Sequence, residues 1–211
     1  ISGTEVREEY LAKGKLLPEW FTRKETAEIL SEVHPPKRKQ GLNLWFTGLS
    51  GCGKSTIASA LVPMLMEHGR QATVLDGDVV RTHLSKGLGF SKEDRDMNIE
   101  RVTFVAKLLT RNDVIVLATF VSPYIARRQQ TREEIGSYVE VYVDASVEEC
   151  IKRDVKGMYK KALAGEIKNF TGVDDPYEAP PNPEITVYTE KESVDESVEK
   201  VLEYLKKNGY L

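Results

Sequence analysis

One stretch of the chain has the residue types and the spacing of a phosphate-binding loop. Residues 48–56 read GLSGCGKST and satisfy the pattern G-x-x-x-x-G-K-[ST] in full. In such a loop the glycines let successive backbone N–H groups turn inward around phosphate oxygens, and the lysine adds a positive charge. The hydroxyl group after the lysine is a ligand for Mg²⁺. The residues predicted to hold a nucleoside triphosphate are Gly48, Leu49, Ser50, Gly51, Cys52, Gly53, Lys54, Ser55 and Thr56.

Two carboxylates, Asp76 and Asp78, follow the second predicted strand and flank a single glycine. In an open α/β sheet, ligands gather at the carboxyl ends of the strands, so these side chains are expected beside the phosphate-binding loop. There they could hold Mg²⁺ with Ser55 or accept a proton from an attacking hydroxyl group. We assign the metal to Ser55 and Asp76. In the alternative interpretation the residues form a strand-end turn, and Asp78 only caps the next helix.

Three arginines, Arg81, Arg95 and Arg101, concentrate positive charge in one short stretch of an acidic chain. Guanidinium groups suit the recognition of phosphate or sulfate oxygens, whereas the alternative for each arginine is a solvated charged face. Phe90 lies between them in the sequence and is either a core residue or a wall that stacks on an aromatic ring. Ser122 follows the third predicted strand, and a hydrogen-bonding role is favoured because no histidine partners it as a nucleophile.

The composition is that of one globular domain with a possible appendage. The 211 residues include 30 lysines and arginines against 33 aspartates and glutamates, which gives a formal charge of −3. This mildly acidic balance disfavours nucleic-acid binding, which would call for a basic face. The longest nearly apolar run, residues 114–121, is too short to span a bilayer, so no membrane partner is expected. Two cysteines and no secretory signal pattern predict a cytoplasmic protein.

From residue 41 onward, predicted strands alternate with predicted helices. The predicted strands are residues 42–47, 71–75, 113–120 and 138–143, and the predicted helices are residues 55–67, 98–111, 124–135, 147–154 and 194–207. Such alternation requires crossover connections and therefore a mostly parallel sheet with helices on both faces. With the phosphate-binding loop, this predicts an α/β protein of the P-loop NTPase fold. Residues 168–189 contain four prolines and are expected to form a long functional loop.

Residues 1–34 do not continue this pattern. Thr22 and Glu25 fit a capping box and predict a short helix through Leu30. Residues 35–40 begin with two prolines and carry three basic residues, which predicts an extended, solvated linker. We therefore divide the chain into a tail segment (1–34), a linker (35–40) and a P-loop domain (41–211).

The ordered set of motifs in residues 41–211 resembles the adenylylsulfate (APS) kinase family. The stretches that carry the resemblance are Gly48–Thr56, Asp76–Asp78 with Arg81, Leu88–Ser91 with Asp94, Arg95 and Asn98, Ser122–Tyr124 with Arg127, Arg153–Gly157 with Tyr159 and Lys160, Gly165–Lys168, and Phe170–Glu178. The phosphate-binding loop alone would indicate only an NTP-binding fold. Small departures occur at Cys52, Val121 and Met158, where the family usually has serine, isoleucine and leucine; none removes a charged side chain.

The resemblance implies a kinase that transfers the ATP γ-phosphoryl group to the 3′-hydroxyl of adenosine 5′-phosphosulfate, giving 3′-phosphoadenosine 5′-phosphosulfate (PAPS). ATP and APS would be its partners, Mg²⁺ its cofactor and a homo-oligomer its assembly. Phe90 and Phe170 would enclose the adenine of APS. The residues implied for APS binding are Asp78, Arg81, Phe90, Arg95, Asn98, Val121, Ser122, Lys168 and Phe170.

The same resemblance assigns the chemistry to four side chains, Lys54, Asp76, Asp78 and Ser122. Arg153 would contact ATP and belong, with the residues through Lys168, to a lid that keeps water from the γ-phosphate. Ser122 matches a serine that the family has been proposed to phosphorylate transiently, although direct in-line transfer needs no such intermediate.

Residues 1–34 instead resemble the C-terminal tail of ATP sulfurylase, through Ile1–Arg7, Gly14 and Pro18–Phe21. Together with a first residue other than Met, this suggests a piece of a bifunctional ATP sulfurylase–APS kinase. No sulfurylase active-site motif is present, so no adenylyl transfer is expected. Two rivals remain: a regulatory module that senses PAPS, which should show an eroded phosphate-binding loop, and a P-loop kinase for nucleosides or shikimate, which should lack the APS-side motifs.

Overall fold

The computed structural model describes residues 1–211 and contains one sheet of five strands. The strands are β1 Leu42–Thr47, β2 Ala72–Asp76, β3 Ile115–Thr119, β4 Tyr138–Asp144 and β5 Ile185–Tyr188. Their order across the sheet is β2-β3-β1-β4-β5, and every neighbouring pair is parallel. The winding of the chain reverses beside β1, because β2 and β3 lie on one side of it and β4 and β5 on the other. Ligand sites of open α/β sheets form at such a switch point.

Nine α-helices accompany the sheet. They are α1 Gly3–Glu5, α2 Lys24–Val33, α3 Lys54–Glu67, α4 Gly77–Thr82, α5 Lys92–Arg111, α6 Ile125–Ile135, α7 Val147–Arg153, α8 Met158–Leu163 and α9 Val194–Lys207. The helices α3 and α9 pack together on one face of the sheet, and α5 and α6 pack together on the other. The predicted α/β architecture with helices on both faces is therefore confirmed.

Strand β1 shows how the sequence builds this core. All six of its residues are buried, and alternate side chains point to opposite faces of the sheet. Leu44 and Phe46 join the large core under α3 and α9. Trp45 faces the other way and stacks between Phe120 and Tyr138, with ring centroids 5.5 and 6.1 Å away. A continuous apolar strand is what a sheet covered on both faces requires.

Helix caps explain two of the observed helix starts. The Ser91 hydroxyl accepts a hydrogen bond from the backbone N–H of Asp94, so α5 begins at Lys92, six residues before the predicted start. Ser193 and Glu196 form a reciprocal capping box at the start of α9, which begins where the sequence predicts.

The predicted loop over residues 168–189 is wrong in its second half, because β5 lies within it. Strand β5 has only four residues and pairs with β4 alone, through positions such as Ile185 opposite Val141. Helices α4 and α8 were also absent from the sequence prediction. Each has six residues, and helices this short depend on caps and tertiary packing rather than on periodicity.

The N-terminal segment differs from the prediction in its details. The capping box predicted for Thr22 and Glu25 does not start α2, which begins after Arg23 with no side-chain cap. A capping box forms instead between Ser2 and Glu5, ahead of a π-helical stretch over Val6–Leu11. The linker is not wholly extended, because residues 37–39 form one 3₁₀ turn.

Residues 1–34 are set apart from the rest of the chain by their interactions. No hydrogen bond joins them to residues 41–211, and none of them belongs to the two main apolar clusters. No helix in the protein combines the length and apolar character needed to cross a lipid bilayer.

Candidate active site

The phosphate-binding loop leaves β1 and enters α3 with a backbone that requires glycine at two positions. Gly48 has φ +149°, and a Cβ atom there would lie 2.4 Å from the carbonyl oxygen of Val143. Gly53 has φ +108° and precedes α3 without any side-chain cap. The first N–H groups of α3 therefore have no side-chain acceptor. They are free to donate to phosphate oxygens at the positive end of the helix.

Lys54 lies across the mouth of this loop. Its side chain is buried, and its Nζ atom donates hydrogen bonds to the carbonyl oxygens of Gly48, at 2.9 Å, and Leu49, at 2.7 Å. The sulfur of Cys52 lies 3.6 Å from the same ammonium group. A phosphate group held by the loop would meet this positive charge directly.

Asp76 joins the loop to the end of β2. Its Oδ2 atom accepts hydrogen bonds from the hydroxyl groups of Ser55, at 2.6 Å, and Thr119, at 3.0 Å. Its Oδ1 atom accepts from the backbone N–H of Asp78 at 2.9 Å. Burial raises the pKa of Asp76, but these hydrogen bonds outweigh it and leave the pKa below its usual range. Asp76 is therefore ionised, and it is Asp76 rather than Asp78 that caps α4.

The chemistry of Ser55 and Asp76 suits Mg²⁺ carried by a nucleotide. A hydroxyl and a carboxylate oxygen 2.6 Å apart are hard donors that could share one small cation. No group of three or more His, Cys, Asp or Glu side chains that could hold a metal ion occurs in the chain. Two protein ligands would leave the remaining positions to phosphate oxygens and water, which is the usual arrangement for Mg²⁺ with a nucleoside triphosphate.

Asp78 has a different environment. It is largely exposed at the start of α4, and its carboxylate pairs with the ammonium group of Lys156. Lys156 lies in the segment between α7 and α8, so the pair spans the mouth of the site. A carboxylate that faces the opening can reach an incoming hydroxyl group.

A cavity of about 380 Å³ connects the phosphate-binding loop to the predicted acceptor side. Its size is within the usual range for small-molecule sites. The predicted residues that line it are Ser50, Gly51, Gly53, Lys54, Ser55, Thr56, Asp76, Asp78, Arg81, Phe90, Arg95, Asn98, Val121, Ser122 and Phe170. The fold thus brings residues from most of the predicted site motifs together around one cavity.

Two arginines lie against the ring of Phe90 on the acceptor side. The guanidinium carbon of Arg81 is 4.6 Å from the ring centroid and that of Arg95 is 5.9 Å away. Burial, together with the nearby charge of Arg95, lowers the pKa of Arg81, although an arginine remains a cation in any case. Two adjacent cations in a half-buried cavity create a strong local preference for an anion.

Arg95 also connects the two sides of the cavity. Its Nε atom donates to the carbonyl oxygen of Phe90 at 2.9 Å. Its terminal nitrogens donate to the Thr171 hydroxyl and to the carbonyl oxygen of Asn169, which flank Phe170. Arg95 thereby fixes Phe90 and Phe170 relative to each other. The sequence predicted a ligand-binding arginine, and the structure adds this positioning role.

Two buried polar atoms at the cavity wall have no partner in the protein. They are the hydroxyl oxygen of Ser122 and the side-chain oxygen of Asn98, each on a residue that is 4% exposed. Ser122 also has φ +45°, an uncommon value for a residue with a side chain. Unsatisfied polar atoms of this kind are usually completed by water or a ligand.

Five predicted site residues do not line the cavity. Gly48, Leu49 and Cys52 belong to the loop but are absent from the cavity lining, and the last two are part of the large core. Lys168 is exposed and lies outside the cavity lining. Arg153 is also outside the lining: its guanidinium group binds the Glu149 carboxylate and both oxygens of Thr189, and it lies 3.5 Å from the carbonyl oxygen of Cys52 in the loop.

Sequence reasoning missed three threonines that support the site. Thr119 holds Asp76, Thr171 accepts from Arg95, and the Thr189 hydroxyl donates to the carbonyl oxygen of Cys52 at 2.8 Å. Thr119 and Thr189 come at or just after the ends of strands β3 and β5. The one sequence signal for these two threonines is their position at the carboxyl ends of predicted strands. That signal was missing for Thr189, because β5 was not predicted.

The fold and the cavity define the class: a P-loop protein with the architecture of small-molecule kinases. A gluconokinase structure from Sinorhizobium meliloti shares this fold at 16% identity, with a TM-score of 0.55 over 80% of this chain and 93% of that chain. The sequence model of adenylylsulphate kinase matches residues 40–188. The chain belongs to the adenylylsulphate kinase family.

Individual relatives agree with this assignment. The adenylyl-sulfate kinase of Halothermothrix orenii is 56% identical over 175 residues, which are 83% of this chain and 95% of that protein. The Mycobacterium tuberculosis APS kinase in complex with AMPPNP and APS is 41% identical, with a TM-score of 0.76 over 79% of this chain and 98% of the other. A hexameric APS kinase from Thiobacillus denitrificans is 36% identical, with a TM-score of 0.78 over 100% of this chain and 38% of that longer chain.

Proposed function

We propose that the cavity binds ATP and APS together and transfers the γ-phosphoryl group of ATP to the 3′-hydroxyl of APS, giving ADP and PAPS. The observation that carries this proposal is one continuous cavity with a phosphate-binding loop at one end and two arginines beside Phe90 at the other. Membership of the adenylylsulphate kinase family supports it.

On the ATP side, we assign the β- and γ-phosphates to the phosphate-binding loop and Lys54. Ser55 and Asp76 would hold Mg²⁺, which would supply positive charge against the negative charge that develops during transfer. Arg153 lies beside the loop because it binds the Thr189 hydroxyl, which in turn donates to the carbonyl oxygen of Cys52. We therefore assign Arg153 to the ATP side. The hydrogen bonds from Ser55 and Thr119 hold the carboxylate of Asp76 beside the phosphate-binding loop.

On the acceptor side, the phosphosulfate group of APS would meet Arg81 and Arg95, with Asn98 and Ser122 completing hydrogen bonds to the ligand. Phe90 and Phe170 would enclose the adenine ring. The unpartnered oxygens of Asn98 and Ser122 support this arrangement, because each is buried at the wall and lacks an acceptor or donor of its own. Lys168 is exposed and would join the pocket only if its segment moves.

The two aspartates divide the chemistry between them in this proposal. Asp76 is engaged by three hydrogen bonds and has a lowered pKa, so it orders the metal and is a poor proton acceptor. Asp78 faces the opening and orients the 3′-hydroxyl or takes its proton once Lys156 moves aside. Direct in-line transfer then needs no phosphorylated Ser122, whose role is to bind.

We further propose that residues 1–34 are the end of an ATP sulfurylase-like region in a longer, bifunctional and oligomeric enzyme. The Thiobacillus denitrificans chain supports this proposal, because it spans this whole chain, including residues 1–40, and extends well beyond it. The two cysteines, both free and buried, support a reducing, cytoplasmic environment.

An acceptor panel tests the proposed reaction. ADP release from Mg²⁺-ATP would be measured with APS, with adenosine 5′-monophosphate, which lacks the sulfate, and with shikimate. We expect rapid release with APS only. Equal turnover with shikimate or with no acceptor would contradict the APS assignment.

A further inference from the structure

We propose that Arg128 is a positioning residue for the acceptor: it fixes the backbone of Val121–Tyr124, here called the acceptor wall, at the distance from Phe170 that APS requires. This inference rests on the proposed function, because it concerns the binding of APS at the acceptor side. Arg128 itself does not line the cavity. It would act through the peptide groups that it holds.

The guanidinium group of Arg128 binds three separate segments of the chain. Its Nη1 atom donates to the carbonyl oxygen of Ser122 at 2.6 Å, and its Nη2 atom donates to the carbonyl oxygen of Glu178 at 2.7 Å. Its Nε atom donates to the Glu140 carboxylate at 2.8 Å on β4. Only 3% of the side chain is exposed. A buried guanidinium group with planar, diverging donors is suited to hold several acceptors in one fixed arrangement.

The acceptor wall needs such support because its conformation is unusual. Ser122 has φ +45°, which costs free energy unless neighbouring groups hold it. The Thr47 hydroxyl donates to the carbonyl oxygen of Val121 at 2.7 Å, and Arg128 holds the next carbonyl. The Ser122 side chain is thereby kept at the cavity surface.

The third segment continues from the other wall of the cavity. Phe170 begins a stretch that runs to Glu178, whose backbone N–H donates to the carbonyl oxygen of Pro123 at 2.9 Å. The Glu178 carboxylate accepts from the N–H of Ile125 at 2.6 Å. Arg128 binds the carbonyl oxygens of Ser122 and Glu178 at once, so it ties the acceptor wall to the stretch that carries Phe170. Removing it should let the two walls move relative to each other.

A neighbouring arginine provides a matched control. Arg132 lies one turn further along α6 and is half-buried; its bonds to Glu184 are 2.6 and 2.8 Å long, and it approaches Glu140, the partner of Arg128, at 3.7 Å. It makes no hydrogen bond to the acceptor wall. Arg128 and Arg132 thus differ in their contact with the wall while sharing a similar charge environment.

The consequence should fall on APS and spare ATP. None of the hydrogen bonds of Arg128 goes to residues 48–56, so the phosphate-binding loop keeps its own support from Thr189 and from α3. A general loss of stability would reduce the amount of active enzyme. It would not raise one KM value selectively.

The test compares Arg128→Gln and Arg132→Gln in the 211-residue chain, with KM for APS, KM for ATP and kcat measured for each. For Arg128→Gln we expect KM for APS to rise about tenfold or more, as for the loss of charge-assisted hydrogen bonds, with KM for ATP within about twofold. For Arg132→Gln we expect both KM values to stay within about twofold of the wild type. Equal effects of the two variants, or an unchanged KM for APS in Arg128→Gln, would overturn the proposal.

A second variant keeps the test decisive if Arg128→Gln does not fold. Arg128→Lys retains the charge beside Glu140, but its single ammonium group cannot span Ser122 and Glu178 with the fixed geometry of a guanidinium group. We expect a selective rise of about threefold or more in KM for APS, and a wild-type value would overturn the proposal. Failure of the wild-type chain to convert APS would instead contradict the proposed function, so the two failures are distinguishable.

Discussion

In the proposed reaction, Lys54 is the residue on which phosphate binding depends most directly. Its ammonium group is buried at the loop and bonded to two carbonyl oxygens. The positive charge therefore already lies where it would contact a phosphate bound in the loop. Lys54→Ala should reduce kcat for APS-dependent ADP release by a factor on the order of a hundred or more, since a preorganised charge at the reacting phosphate is lost. Steady-state kinetics would measure this.

A suitable control for that variant is Lys207→Ala, which removes an exposed lysine at the end of α9. It should leave turnover unchanged. If Lys54→Ala retained most of the wild-type turnover, the assignment of the loop as the phosphate site would be wrong.

Arg95 holds the segments around Phe90 and Phe170 in place, and in the proposed function it also binds APS. Arg95→Ala removes a cation from the cavity and three hydrogen bonds to segments around Phe90 and Phe170. We expect the transition-state stabilisation for APS to fall by about 1.5–3 kcal/mol or more, with ATP affinity changed far less. The measurement is kcat/KM for APS beside the dissociation constant of an ATP analogue.

Arg101→Ala is the matched control on the same helix, because Arg101 bonds to Leu84 and Met97 rather than to the cavity. It should behave like the wild type. Unchanged kinetic constants for APS in Arg95→Ala would remove Arg95 from the site.

The ionisation of Asp76 makes the free energy of unfolding depend on pH in a defined direction. Its folded-state pKa lies below the ordinary range because hydrogen bonds outweigh burial. Its ionised form therefore stabilises the fold above its unfolded pKa, and this contribution is lost as pH falls through the lower folded value. Relative to Asp76→Asn, the wild type should lose unfolding free energy below about pH 4.

Urea unfolding of both proteins at pH 6 and at pH 3.5 would measure this difference. The gap in unfolding free energy between wild type and Asp76→Asn should narrow at the lower pH. A gap that stayed constant or widened would show that the carboxylate is not stabilised in its ionised form.

At the scale of elements, residues 1–34 can be separated from the catalytic region in a test. They make no hydrogen bond to residues 41–211, and relatives such as the Halothermothrix orenii protein align over only 175 residues of this chain. A chain that starts at Pro35 should keep kcat and both KM values within about twofold of the full chain. Loss of turnover in a folded, truncated chain would contradict the proposed division.

The strands were predictable where burial is continuous. Strand β1 was predicted with its observed bounds, and β3 within two residues, because apolar runs bounded by turn residues require a strand between two helical layers. Strand β5 was not predictable in this way. Its four residues follow a proline-rich stretch, and its only partner is β4, so pairing with β4 rather than local pattern determines it.

The same distinction applies to the site. The phosphate-binding loop and the Asp76–Arg81 stretch are local motifs, so a role for them could be proposed from the sequence, and most of their residues line the cavity. The partners of Arg95 and Asp78 are 74 to 78 residues away in the chain. No spacing rule links such positions, and the role of Arg95 in holding two phenylalanines became visible only with the fold.

At the scale of the whole molecule, the phosphate-binding loop and the acceptor side of the cavity lie at one edge of a parallel sheet. The phosphate-binding loop follows β1, Asp76 ends β2, and Ser122 follows β3, so three adjacent strands bring these residues to a single cavity, where we propose that ATP, Mg²⁺ and APS bind. The pair between Asp78 and Lys156 spans its mouth. In the proposed reaction this pair opens when both nucleotides bind, and the segment around Lys156 closes over the γ-phosphate and excludes water.

The most direct test of the central claim follows the transferred group itself. The full chain would be incubated with Mg²⁺, APS and ATP labelled at the γ-phosphate, and the products would be separated. We expect the label to appear at the 3′-position of PAPS in an amount equal to the ADP released. If PAPS bound tightly but no label left ATP, the chain would be a sensor of PAPS rather than a kinase, and the account would be contradicted.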